Sequence, residues 1–261
     1  MNPVDQADGL RRLLGGRGAR IVALAGLSPG AGTTTAAMNL AVEVARQGRP
    51  VVLLDEQPQG PRSACALWSI TPRGSLEDVA SGRMALHVAA AVSRCGVQVL
   101  TAPASAAYGT FNPRSLCPRG VIVIDAAIDS AGELSPLARA ADEVVIVMQP
   151  SAASITATYA GLKQLHYAHA LQTFHFVVNG AASAQQAEQV IANVLHAASR
   201  YLAVSLRALG WVDADLLVRE SARLLRTVCE AYPASAAAAG WRNIAGAMLG
   251  GSIGAPAAAS A

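Results

Sequence analysis

Short, unbroken apolar runs recur along the chain, separated by segments whose apolar residues fall at helical spacing. Ile21–Gly26, Arg49–Asp55, Gly120–Asp125, Glu143–Pro150 and Phe174–Asn179 are too short for helices and rich in branched side chains, which is how strands covered on both faces read. Val97–Leu100 is a weaker strand signal. After the first run, Thr35–Ala45 places Met38, Ala41, Val42 and Ala45 on one helical face. Ser151–Lys163 begins a second helix, Gly74–Val79 reads as a capped helix start, and Ala238–Leu249 is a final helix with Trp241, Ile244, Ala245 and Met248 on one side. Strands alternating with helices predict an α/β fold, a doubly wound and mostly parallel sheet in one domain. Residues 61–118 carry little pattern, and 102–118, rich in Ala, Ser and Pro, read as a surface segment.

The connection between the first strand and its helix, Leu27–Thr35, is where the chemistry concentrates. Strand, glycine-rich turn and helix form the setting in which backbone N–H groups and a helix N-terminus cradle phosphate. Small residues there let an anion approach the backbone. Gly30, Ala31, Gly32, Thr33, Thr34 and Thr35 are the candidate phosphate contacts. A phosphate loop of the usual kind has Lys before its Ser/Thr. Here that position is Thr33, and the one lysine of the chain is the distant Lys163. Pro29 removes a further donor from the turn. Two strands end on carboxylates, Asp55 and Asp125, and Glu56 reads as a solvated loop residue.

Composition changes this picture little. With 52% hydrophobic and 14% charged residues, the chain reads as a well-buried α/β body. The net charge of +3 is carried by nineteen Arg and one Lys without any basic run, so no nucleic-acid surface is expected. Cys65, Cys95, Cys117 and Cys229 form no CxxC pair and read as buried small hydrophobes of a reducing, cytoplasmic protein. No leader is read before the first apolar run, and that run is far too short to span a membrane. His166 and His169, three apart on a helix, lack a third metal ligand and read as a polar face.

The glycine turn resembles the deviant phosphate loop of the MinD/ParA family, Lys-Gly-Gly-x-Gly-Lys-Thr-Thr. Gly30, Gly32, Thr34 and Thr35 match it, whereas Ser28, Pro29 and Thr33 depart from it. The resemblance implies a MinD-like phosphate-loop NTPase fold with ATP and Mg²⁺ as ligands. Asp125 stands where the family's Walker B carboxylate holds the Mg²⁺-bound water, with Thr34 and Asp55 as its companions at the metal. Three positions depart in one direction. Thr33 brings no ammonium, and Gln57 replaces an Asp beside the attacking water, where glutamine can orient water without accepting its proton. Asp129 replaces a glycine at the γ-phosphate, where a carboxylate repels. Nucleotide is therefore expected to bind weakly or not at all, with little hydrolysis. Asn179 resembles the residue that reads the adenine edge, although an Asn-Gly pair is equally a turn. Pro150, Ser154, Ile155, Thr156, Tyr159 and Lys163 also match the family and read first as packing and capping.

Asp5-Gln6-Ala7-x-x-Leu10-Arg11 resembles the N-terminal activation motif of the flagellar-number regulators within that family (the FlhG, FleN or YlxH group), and the likeness extends to about Leu249. Asn2–Leu14 reads as a short helix with Asn2 as cap and Pro3 in its first turn, marginal alone and otherwise a frayed tail. This gives three expected parts: residues 1–18 as activation helix and glycine tether, 19–249 as the α/β domain, and 250–261 as a disordered tail. The resemblance implies a partner GTPase, FlhF, activated through Asp5, Gln6, Ala7, Leu10 and Arg11. Flagellar switch proteins or a flagellar transcription activator are further implied partners, with a homodimer if nucleotide binds. A working ATPase that cycles between monomer and dimer, or a relative for DNA partitioning or cellulose-synthase placement, is the alternative. Membrane contact at the inner face of the cell membrane is expected to be weak, because Arg242 is the only base of the final helix.

Overall fold

The computed structural model describes residues 18–106, 108, 110–202 and 204–250. The expected N-terminal helix, and residues 251–261 of the expected tail, lie outside the described residues. The strands are β1 Arg20–Gly26, β2 Val51–Asp55, β3 Ala91–Val92, β4 Gln98–Thr101, β5 Val121–Asp125, β6 Glu143–Met148, β7 Thr173–Ala181 and β8 Ser205–Asp213. They form one sheet in the order β3-β4-β2-β5-β1-β6-β7-β8. The short edge pair β3–β4 is antiparallel and the other pairings are parallel. The helices are α1 Thr33–Arg46, α2 Ala64–Trp68, α3 Leu76–Ala80, α4 Leu86–Ala89, α5 Pro136–Arg139, α6 Ala152–His169, α7 Ala184–Tyr201, α8 Leu217–Arg223, α9 Val228–Ala231 and α10 Ala236–Leu249.

Alternate residues of β1 feed two cores. Ile21, Ala23 and Ala25 pack on one face with Leu162 and Leu165 of α6 and Ala187 and Val194 of α7. Val22 and Leu24 pack on the other with Ala37, Leu40 and Val44 of α1 and Trp241 and Ile244 of α10. Both faces of the central strands are thus dry, which is why they read as continuous rather than alternating apolar runs. The doubly wound sheet is the one expected.

The weakly patterned stretch 61–118 holds short elements instead of one long one. Its helix start is an observed capping box, with Ser75 and Asp78 each bonded to the other's backbone N–H. Within the segment expected at the surface, a 3-10 turn at Pro113–Leu116 buries Leu116 and Cys117. Cys117 and Cys229 are buried as expected, whereas Cys65 and Cys95 are half-buried.

In α10 the apolar side, Trp241, Ile244, Ala245 and Met248, is buried within the domain and so is not presented to a membrane. Among the described residues no helix is long and apolar enough to cross one. Two of its glycines make a paired test. A Cβ on Gly240 would meet the Trp211 carbonyl at 2.9 Å and Val212 Cα at 3.2 Å, whereas one on Gly246 would meet nothing within 4 Å. Gly246→Ala is expected to stabilise the fold by about 0.5–1 kcal/mol through helix propensity. Gly240→Ala is expected to destabilise it by roughly 1–3 kcal/mol through overpacking. Urea midpoints of the two variants that moved in the same direction would refute this packing.

Candidate functional site

The phosphate turn runs from the end of β1 into α1, and side chains from α6, β7 and the residue after β6 brace it from outside. Gln149 Nε2 donates to the Gly30 carbonyl at 2.9 Å, and Asn179 Nδ2 donates to the Ala31 carbonyl at 3.0 Å. Ser28 Oγ and Ser154 Oγ share a hydrogen bond of 2.9 Å, and Ser154 also caps the Gln149 N–H. Two of its carbonyls are thus drawn outward, while the Ala31 N–H closes the turn by donating to Ser28 O at 3.3 Å. Gly32 is the N-cap of α1, at φ 86° and without any side-chain cap, so the first-turn N–H groups of α1 keep no internal partner. Glycine is needed there twice over: φ is left-handed, and a Cβ would sit 2.5 Å from Asn179 Nδ2.

Asn179 therefore does something that neither sequence reading covered, because its amide holds the turn. Gln149 and Ser154 join it in that task, and sequence reasoning had assigned them only to strand end, packing and capping. Asn39, fully buried in α1, was missed altogether. Its Nδ2 donates to Thr35 O at 2.8 Å and its Oδ1 accepts from the Cys229 N–H at 3.1 Å, which ties α1 to α9.

Parallel pairing of β2 with β5 puts Asp55 directly beside Asp125. Their environments differ. Asp55 Oδ1 accepts from Gln57 N–H and Oδ2 from Ala64 N–H, both at 2.9 Å, so this carboxylate caps α2 and shapes the loop. Burial still raises its pKa, with those N–H groups opposing the rise. Asp125 is 3% exposed, and its Oδ2 has no hydrogen-bond partner among the described residues. Burial pushes its pKa up to about 7. The Thr34 hydroxyl works against that rise, and the neighbouring Asp55 and Glu56 charges add to it. An orphaned buried carboxylate oxygen beside a threonine hydroxyl suits a hard cation, which takes oxygen ligands.

Glu56 and Asp129 correct the sequence reading. Glu56 is buried, not solvated: it accepts from the Ser135 hydroxyl and, at 2.9 Å, from the Ala127 N–H, locking the loop after β5. Asp129 does not line the cleft. Its Oδ1 accepts from Ala131 N–H at 2.9 Å and Glu133 N–H at 2.8 Å, so the carboxylate is spent closing its own exposed turn. Asp129 therefore stands in an exposed turn and not among the residues that line the cleft. Gln57 is exposed at the cleft, and Thr33 lies on its floor. His166 Nδ1 meets the Leu171 carbonyl at 2.8 Å just beyond α6.

The cleft has a volume of about 640 Å³. Its floor is the phosphate turn with the first turn of α1; Asp125, Gln57, Arg62 and Leu67 stand on one side, and α8 with the start of α9 on the other. Glu230 links the two sides. It closes a capping box with Thr227 and accepts from Trp68 Nε1 of α2 at 2.8 Å. Burial opposes its ionisation, but these donors and Cys95 outweigh it and hold its pKa below the ordinary value.

A braced glycine turn at the end of a central parallel strand, facing a buried carboxylate on the neighbouring strand, is a nucleotide-site architecture. The model of the CobQ/CobB/MinD/ParA nucleotide binding domain matches residues 22–237. The chain belongs to this family. It is 30% identical over 242 residues to the antiactivator FleN of Pseudomonas aeruginosa, covering 87% of this chain and 85% of that protein. Among solved structures, the cell division ATPase MinD of Pyrococcus furiosus superposes with a TM-score of 0.65 at 19% identity, covering 89% of this chain and 99% of that one. The septum site-determining protein MinD of Pyrococcus horikoshii, complexed with Mg-ADP, gives a TM-score of 0.62 at 18% identity, covering 87% and 94%. These two likenesses carry the fold.

Within this MinD/ParA-type frame, the Asp125 carboxylate yields a pH prediction. A carboxylate whose folded pKa lies near 7 carries no penalty below its unfolded value, loses stability as pH rises between the two, and carries the full penalty above 7. Without metal, Asp125→Asn is expected to stabilise the fold by roughly 4 kcal/mol or less at pH 8, and by nothing at pH 3.5. Thermal unfolding in EDTA at the two pH values checks this, and a gain of equal size at both would contradict it.

Proposed function

We propose that the chain is a flagellar-number regulator that binds ATP weakly through the braced phosphate turn and turns it over little or not at all. The single observation that carries this reading is the extended identity to the antiactivator FleN, which spans nearly the whole domain. Gly30 to Thr35 would hold the phosphates through backbone N–H groups, and Thr34 with Asp125 would hold Mg²⁺. The ion's contribution is charge neutralisation at the phosphates. What the chain lacks is equally specific. Thr33 supplies no ammonium, and Gln57 can orient a water but cannot take its proton.

Regulation on this reading runs through partners. The activation motif Asp5-Gln6-Ala7-x-x-Leu10-Arg11 supports FlhF as one, with Gln6 offered to its GTP site in the way Ras-type GTPases use a glutamine. The word antiactivator supports a transcription activator as another. Leu216, Leu224 and Leu225, exposed at 79%, 52% and 44% beside the cleft, are an apolar rim suited to a second copy or a partner.

ATP hydrolysis by the purified chain is expected to fall roughly a thousandfold or more below that of an intact site. Family-like turnover that disappears in Thr34→Ala would sink this. In a separate assay, the full chain is expected to stimulate FlhF GTPase. Gln6→Ala should abolish the stimulation and Thr33→Lys should leave it intact. Equal stimulation by Gln6→Ala would remove the motif from the mechanism.

A further inference from the structure

Arg62, Arg219 and Arg226 line the same cleft as the phosphate turn. Through their side chains, none of them makes a hydrogen bond or an ion pair with another described residue. Cations without such a partner among the described residues, gathered around one cavity, are poised for an anion. A guanidinium is always charged and offers a planar fork of donors that fits phosphate oxygens. The same cavity holds the orphaned Asp125 Oδ2, which points independently to a ligand that brings a cation with it.

Arg226 is the best placed of the three. Its backbone N–H donates to Ser221 O at 3.1 Å, and the next residue, Thr227, begins the Thr227–Glu230 capping box. Just before it, Leu225 takes φ 54°, a left-handed conformation uncommon for leucine. Such strain persists where its surroundings fix it and gathers at ligand clamps. The backbone at Arg226 is thus held on both sides, and the residue lines the cleft with its charge within reach of the Cys95 thiol.

We propose that Arg226, assisted by Arg62 and Arg219, replaces the missing lysine of the phosphate turn, gripping the phosphates of a nucleoside polyphosphate from the facing wall. The proposal rests on the nucleotide reading above and adds the source of the cationic charge. It also changes what binding does. A lysine within the turn holds phosphate on one element, whereas Arg226 joins phosphate to the segment between α8 and α9 and so to the apolar rim at Leu224 and Leu225.

Calorimetric titration of the full chain with ATP and Mg²⁺, and separately with inorganic tripolyphosphate, tests this. The proteins are the wild type, Arg226→Gln and Arg62→Gln/Arg219→Gln/Arg226→Gln, each checked for an unchanged melting temperature. Arg226→Gln is expected to weaken both ligands about tenfold or more, the triple variant to weaken them further, and Thr33→Lys in the Arg226→Gln background to recover affinity. If the wild type binds and the triple variant binds equally well, the arginine grip is overturned while the nucleotide reading stands. Loss of ATP with tripolyphosphate binding unchanged would place the arginine on the nucleoside and overturn the phosphate role. A wild type that binds neither ligand would overturn this proposal and the nucleotide reading together.

Discussion

The parallel pairing of β1 with both β5 and β6 is the constraint on which the site depends. A central strand paired on both sides has its edges occupied, so only its end is free to present backbone groups. Here that end is the phosphate turn. Because β5 pairs with β1 on one side and β2 on the other, Asp125 and Asp55 arrive at the same edge of the sheet as the turn. Displacing any one of these strands would scatter the turn, the buried carboxylate and the loop that carries Gln57.

Much of this was legible in the residues. The unbroken apolar runs marked the central strands because both faces are buried, and the closing carboxylates marked which strands end at the site. What was illegible shares one physical cause, namely that the partner of a polar side chain is set by tertiary packing. Nothing local announces that Glu56 will be covered by the loop after β5 and satisfied by Ser135 and Ala127. Asp129 was misplaced for the opposite reason. Its carboxylate found N–H groups within its own turn, a local competition that position in a motif does not reveal. Arg62, Arg219 and Arg226 lie far apart in the chain and meet only around the cleft. The abundance of arginine hid them, since no basic run singles them out.

The electrostatics of the edge are lopsided. Three buried carboxylates, Asp55, Glu56 and Asp125, stand behind the turn, and the first two accept hydrogen bonds on both oxygens. Asp125 alone of the three has an oxygen without a hydrogen-bond partner among the described residues. Among the described residues that line the cleft, the cations are Arg62 on the side of Asp125 and Arg219 and Arg226 on the other. Negative charge sits at the end of the sheet and positive charge around the cleft, an arrangement in which a polyanion with its own divalent ion completes both halves.

The bond from Trp68 to Glu230 has an optical consequence. Trp68 sits at the end of α2, whose first turn Asp55 caps, and its indole N–H ends on the carboxylate that organises the opposite wall. An indole held by an ionised carboxylate is quenched and shifted differently from one released into water. Trp241, 2% exposed, belongs to α10 and Trp211 to β8, so neither takes part in that bond. Trp68 thus bridges the two walls, and its share of the emission would report on that bond without any attached label.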